Sequence, residues 1–300
     1  MSNSIFEYIT EQEEQFKKPI PIESNWYWNF PEHVMRSFSY KHSQFEEDND
    51  NRSERPFKNI VRPILNVQYR TEGFDVKDID IYVDNEDEYY KSFLLRKYYQ
   101  KWALTNEMDT FIDDVVESFV DYGGALVKKT KSVRPEVIDL RTLAFCDQTD
   151  ILAGPFAIKH FFSPRQLEDM KKNGWGVIGA EMDIDTLIYK SESVKRVRKE
   201  NGEIKTPGKY LEIYEVHNVC EMDFDPMSKN TEQMMYIVSF LEDENGRKSG
   251  TILFSVPEPK LPFKFLKRDP IRGRALGWGG VEELFEPQAW TNFSQIHIIG

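Results

Sequence analysis

Cysteine is scarce in this chain. Cys146 and Cys220 are the only two in 300 residues. Two cysteines make no disulfide framework, and a reducing compartment is the simple inference. Long apolar runs are missing as well. No window of about 18 apolar residues occurs, so no segment reads as a membrane-spanning helix and no membrane partner is expected. The start, Met1-Ser2-Asn3-Ser4, moves straight into acidic residues and lacks the basic and apolar regions of a signal peptide. Catalytic signatures are absent too. There is no Gly-x-Ser-x-Gly elbow and no Gly-x-x-x-x-Gly-Lys-Ser/Thr loop. No repeat with a period of roughly 20–50 residues is visible.

Positive charge is in deficit. Lys and Arg number 39 against 51 Asp and Glu, a net charge of −12. A surface of that sign repels phosphate, which argues against tight, sequence-independent nucleic-acid binding and leaves weak or sliding contact open. What the chain does have is an aromatic-rich composition, 14% Phe, Trp and Tyr within a 40% hydrophobic total. That much aromatic surface belongs to a folded protein with a real core. The length suits one large or two modest domains.

Helical patterns come early. Ile5 to Lys18 is a short acidic helix ended by Pro19 and Pro21. Phe45 to Arg55, with the run Glu46 to Asn51, reads as a solvated loop. Ile60 to Val67 reads as a helix interrupted at Pro63, and Ile79 to Val83 as a half-buried strand. A helix from about Asn85 to Ala103 is expected to pack through Tyr90, Phe93, Leu94, Lys97, Tyr98 and Trp102. The next helix, with Asn106 as its N-cap, has the clearest period in the chain: Met108, Phe111, Ile112, Val115, Val116, Phe119 and Val120. Gly123-Gly124 ends it, and Ala125 to Val127 follows as a strand.

Strand patterns dominate the second half: Val133–Leu140, Ala157–Phe162, Tyr210–Val219, Met235–Leu241 and Thr251–Val256. Asn245-Gly246 marks a hairpin between the last two. Ser163-Pro164-Arg165-Gln166 is a helix-capping signature. The expected fold is therefore α+β, with helices grouped early and strands late. Three regions are expected: a helical and loop segment over 1–55, an α+β domain over 56–276, and a helix starting at 277–300. In that last helix Val281, Leu284, Phe285, Ala289, Phe293, Ile296 and Ile299 recur at helical spacing. The pattern still runs at Gly300, which reads as the front part of a longer polypeptide; the alternative is a C-terminal helix that docks on the core and closes with Gly300.

Several residues invite a chemical reading. His217 and Cys220, three apart, could begin a zinc site with Cys146 and His160, but no second close pair supports it and ordinary β-segment residues is the better reading. Asp84, Glu86 and Glu88 mimic a calcium loop, yet Tyr89 stands where glycine is needed. Gly277-Trp278-Gly279-Gly280 could offer backbone N–H groups to a phosphate. No lysine follows it and Glu282-Glu283 would repel an anion, so a structural turn is expected. Glu203 and Lys205 have the spacing of half a metal-dependent nuclease site, beside the charged turn Asn201-Gly202. Asp183 and Asp185 read as solvated. Two basic clusters remain, Lys195 to Lys199 and Lys267-Arg268 to Arg274. No convergent catalytic set emerges, so no enzyme activity, cofactor or metal is expected.

Three stretches carry a family resemblance. The first is Phe119-Val120-Asp121-Tyr122-Gly123-Gly124 followed by Ala125-Leu126-Val127-Lys128-Lys129. The second runs from Val137-Ile138-Asp139-Leu140 to Asp147-Gln148-Thr149-Asp150. The third is Leu261-Pro262-Phe263, Gly273-Arg274 and Gly277-Trp278-Gly279-Gly280-Val281-Glu282. Over residues 55–300 or so the pattern resembles the portal proteins of tailed bacteriophages, with the flavour of portals from crAss-like or related gut phages. The resemblance implies a portal wing that leads into a stem-directed helix, in a ring usually of twelve subunits at a capsid vertex. It implies a non-enzymatic role in DNA packaging and ejection, a virion location, and assembly in the host cytoplasm. The implied partners are other copies of the chain, the terminase, the major capsid protein and scaffold, head-completion and tail proteins, and double-stranded DNA in weak sliding contact. Clip and crown regions have no counterpart here. Arg272, Arg274, Glu282 and Trp290 are the candidate subunit-interface or DNA-proximal residues. The rival readings are another virion structural or adaptor protein and a metal-dependent nuclease.

Overall fold

The computed structural model describes residues 2–43, 58–83, 85, 88–131, 134–191, 210–242 and 247–299, with side chains for 4–294 of these. Helix α1 spans Ser2–Phe16. The paired strands β1 (Ile20–Glu23) and β2 (Trp26–Trp28) follow, then helices α2 (Phe30–Lys41), α3 (Val61–Glu72), α4 (Tyr89–Thr105) and α5 (Met108–Tyr122). Next come β3 (Gly124–Lys128), β4 (Glu136–Ile138), β5 (Leu143–Phe145), β6 (Phe156–Phe162), α6 (Pro164–Met170) and α7 over 184–191. The chain continues through β7 (Leu211–Cys220), β8 (Gln233–Glu242), β9 (Lys248–Pro257), β10 (Phe263–Lys267) and α8 (Phe285–Ile299). The fold is mixed α+β, as the order of periodicities requires.

Two units emerge: residues 1–20 with 142–261, and residues 21–141 with 262–300. Both are discontinuous in sequence. The acidic run 46–51, the basic run 195–199, the turn at 201–202 with Glu203 and Lys205, the turn at 245–246, Asp84, Glu86, and the side chains of Ile296 and Ile299 lie outside the described residues.

The first unit is built on an antiparallel sheet in the order β5-β6-β7-β8-β9. Both faces are covered, so its strands are apolar on both sides rather than alternating. On one face Leu211 and Ile213 of β7 meet Ile237 of β8, Leu253 of β9, Leu167 of α6 and Ile184 and Leu187 of α7. On the other face lies α1. Its Phe6 ring stands 4.8 Å from Phe240, its Tyr8 ring 6.3 Å from Phe145, and Tyr214 Oη donates to Glu13 Oε1 at 3.0 Å. The expected capping signature forms: the Ser163 hydroxyl accepts from Gln166 N, and the Gln166 side chain answers from Ser163 N.

The second unit joins an antiparallel sheet, β10-β3-β4, to a helical layer. Gly123 leaves α5 at φ 78°, a left-handed cap that glycine takes without a Cβ clash, and the chain enters β3 at once. Val61 and Leu65 of α3, Ala103 of α4, Ile112, Val116 and Val120 of α5, and Val281 and Phe285 form the core.

Five expectations change here. Asn106 closes the end of α4, its side chain donating to Trp102 O at 2.7 Å, and Glu107 at φ 52° takes the N-cap position of α5 instead. Pro63 does not interrupt α3, because it falls in the first turn, where its missing N–H would have no helical partner anyway. Residues 79–83 form no strand, and Ile79 is exposed. Within 133–140 the strand is confined to Glu136–Ile138 among the described residues. The largest change concerns α4. Its core-facing side is set by the small residues Ser92 and Ala103, with Tyr99 and Trp102 partly buried. Tyr90, Phe93, Leu94 and Tyr98, expected inside, are 58–70% exposed.

Candidate functional site

The two glycine-bearing stretches of the resemblance meet in space. The last turn of α5 leaves carbonyls without helical partners. Gly280 N donates to Val120 O at 2.6 Å, and Gly277 N and Arg268 N both donate to Gly123 O at 3.0 Å. The backbones approach too closely for side chains. A Cβ on Gly277 would lie 1.4 Å from Arg268 O, and one on Gly279 would lie 2.5 Å from Asp121 O. The N–H groups of Gly277, Trp278 and Gly280 are therefore already spent on carbonyls, and the segment is a structural turn.

Arg274 locks this turn. It is 1% exposed. Its guanidinium grips Glu282 with two nitrogens, Nη1 to Oε1 at 2.9 Å, and donates to the carbonyls of Leu276 at 3.1 Å and Gly277 at 2.7 Å. The rings of Trp28 and Trp278 flank it, each centroid 5.6 Å away. The geometry is the bidentate fork that arginine offers and lysine cannot. Of the four residues singled out from sequence, the structure thus joins Arg274 to Glu282 in the interior. Arg272 and Trp290 lie apart from them at the surface, Trp290 at 68% exposure against Phe293. His33 sits beside Glu282 at 3.7 Å. Burial holds its pKa down to about 4, with Arg274 and Arg36 adding to the effect and Glu282 opposing it.

A second polar centre lies at the α5 flank. Asp121, 2% exposed, accepts from Lys41 Nζ and from the Tyr69 hydroxyl. Burial pushes its carboxyl above the usual range, against the pull of Lys41 and Tyr69. A cleft of about 360 Å³ opens here, lined by Phe38, Lys41, Glu117, Asp121, Asp139 and Arg141 among others. Both cations are engaged, Lys41 with Glu117 and Asp121, Arg141 with Asp139 and, 4.0 Å away, the Phe38 ring. Among the described residues, the cleft therefore leaves no lysine or arginine free for an anionic ligand, while Glu117 and Asp121 share a single cation. Nothing in the sequence pattern signalled this network, since its members are spread from residue 41 to residue 141.

Two of the zinc candidates, His217 and His160, are linked through Glu215. His217 is fully buried between two carboxylates, Glu215 Oε1 at 3.2 Å and Glu258 Oε2 at 2.9 Å. His160 meets the other oxygen of Glu215 at 3.2 Å. Burial opposes protonation of His217, but the hydrogen bonds and charges of Glu215 and Glu258 outweigh it and raise its pKa. Cys220 donates its thiol to Thr231 O at 3.3 Å, and the chain bulges between Val216 and Val219 with Asn218 at φ 58°. Cys146 is buried, and burial pushes its thiol up. Among the described residues no group of three or more His, Cys, Asp or Glu is set to hold a metal ion. Asp183 caps α7, accepting from Thr186 N at 2.9 Å, and Asp185 pairs with Lys171. No protein-family model matches the chain, and no curated protein matches it.

The remaining surface of note is α4. Tyr89, Tyr90, Phe93, Leu94, Tyr98 and Leu104 are each more than half exposed. Its only charged residues are Lys91, Arg96, Lys97 and Lys101, all basic. This is a concentration of exposed large apolar side chains on one helix, the kind of surface that proteins use for interaction when it is contiguous.

Proposed function

We propose that this chain is a subunit of a tailed-phage portal, a ring at one capsid vertex through which DNA is packaged and ejected. The observation that carries the reading is the junction at the end of α5. The stretches that resemble the portal pattern, Phe119 to Lys129 and Leu261 to Glu282, pack against each other, with β3 paired to β10 and the Arg274–Glu282 fork closing the turn. In this reading the junction fixes the direction in which α8 leaves the wing, and α8 begins the stem. A rigid exit angle matters because every subunit must send its helix to the same tunnel.

The role is one of shape and assembly, with no bond made or broken. A net charge of −12 supports a tunnel that lets DNA slide, since each phosphate neutralised by a cation adds salt-dependent grip. The virion vertex is the proposed location. The terminase, the head-completion and tail proteins, the scaffold and the major capsid protein are the proposed partners, along with further copies of the chain. Arg272 and Trp290 are the proposed contact positions among the four residues, because they reach the surface. Particle imaging tests the proposal: purified protein should form rings with a central hole, whereas solitary subunits with magnesium-dependent nuclease activity would overturn it.

A further inference from the structure

We infer that α4 of one copy docks on the acidic edge of α5 of a second copy. The inference rests on the ring reading for its head-to-tail geometry. Tyr90, Leu94, Lys97 and Lys101 follow one another at intervals of three and four, so they form one stripe along α4. Phe93, Tyr98 and Leu104 flank it, and this stripe turns away from the core that Ser92 and Ala103 approach. Lys97 lies over the Phe93 ring at 5.9 Å, and among the described residues Lys101 engages no carboxylate.

The next helix has the opposite character. The charged residues of α5 are all acidic: Asp109, Asp113, Asp114, Glu117 and Asp121. Asp109, Asp113 and Glu117 are spaced four apart along one exposed edge. Lys41 holds Glu117 and Arg134 holds Asp114, but among the described residues Asp109 and Asp113 engage no cation. Lys97 and Lys101 have the same four-residue spacing as Asp109 and Asp113, about 6 Å per step. One chain therefore displays both halves of a charge-matched helix pair, each facing outward. Such a contact uses two different patches, which is what a closing ring requires. The acidic edge also argues against other occupants of α4. DNA phosphates or anionic lipid headgroups brought to α4 would meet the carboxylates of the adjoining helix.

Charge-swap variants test this by sedimentation velocity across micromolar concentrations. The pair K97E/K101E should weaken self-association at least about tenfold, as should D109K/D113K, because like charges then face each other. An equimolar mixture of the two should associate again, as should the quadruple variant, since each restores opposite charges at every contact. These four substitutions are all at exposed positions, and circular dichroism spectra matching wild type verify the fold. Wild-type association that K97E/K101E leaves unchanged would overturn the inference. So would variants that do not complement, or a wild-type monomer whose α4 cations instead govern binding to phosphatidylglycerol vesicles or duplex DNA. Rings that persist in K97E/K101E would remove the α4–α5 contact and leave the portal reading standing. Complementing variants that form particles without a central hole would do the reverse.

Discussion

Asp121 shows how much one residue can depend on its neighbours. Its carboxylate is almost out of solvent, and Lys41 and Tyr69 supply what water would otherwise provide. Removing one partner of a buried pair leaves the other charge stranded, at a cost of about 3–5 kcal/mol. Lys41→Met should therefore lower unfolding stability by about 3 kcal/mol in urea titrations. Adding Asp121→Asn should recover part of that loss, because it removes the stranded charge and keeps an acceptor for Tyr69. Equal stability of Lys41→Met and wild type would show that the pair is solvated.

His33 gives a prediction in pH. Its folded pKa is depressed to about 4 from 6.5, so the unfolded chain binds the extra proton between those values. Stability from this residue is full above pH 6.5 and is lost as the pH falls toward 4. The loss amounts to up to about 3 kcal/mol. His217 has the opposite sign: its raised pKa contributes stability at low pH that fades as pH rises through the folded value. His33→Gln should thus flatten the acid limb of the stability profile and leave the neutral region nearly unchanged. Urea midpoints measured from pH 7.5 to 4.5 read this directly, and an unaltered acid limb would contradict the assignment.

Among the elements, those with a strong local signal were legible in the sequence. The period from Met108 to Val120 gave α5, Gly123 gave its end, and Ser163 with Gln166 gave the start of α6. Each of these rests on contacts within a few residues. The outward turn of α4 was not legible. Its stripe of Tyr90, Leu94 and Tyr98 has the period of a packed face, and periodicity cannot say whether the partner is the same chain or another. Residues 79–83 alternate as a strand would, but a strand needs a neighbour, and none of the described residues pairs with them. Of the candidate site, the Gly277–Gly280 turn was legible as a turn. The Arg274–Glu282 fork was not, because an arginine in a basic cluster looks solvent-facing until Trp28 and Trp278 close over it.

The packing of that turn gives an element-scale prediction. Gly277→Ala places a Cβ within 1.4 Å of a backbone oxygen, so β10, α5 or the turn must shift. A loss of about 3 kcal/mol or more is expected, the range of severe overpacking. Gly154→Ala is the control, since its nearest neighbour would be an ordinary 3.8 Å away. Thermal unfolding followed by circular dichroism should separate the two variants by many degrees. Equal midpoints would mean that the α5 exit is looser than these contacts describe.

At the scale of the whole molecule, charge and apolar surface are segregated. The chain carries a net −12, yet α4 bears only positive charge, and α5 only negative. A monomer gains nothing from leaving Tyr89, Tyr90, Phe93, Leu94 and Tyr98 in water, and hydrophobic burial is the main force in association. The proposed assembly would account for both features together, and the close-packed α5–β10–α8 junction would give it a fixed geometry. The most direct measurement is mass photometry paired with negative-stain imaging of the purified protein at micromolar concentration. The account predicts closed rings with a central hole and masses at a whole multiple of the 35.4 kDa chain. Solitary 35.4 kDa particles throughout that range would contradict it.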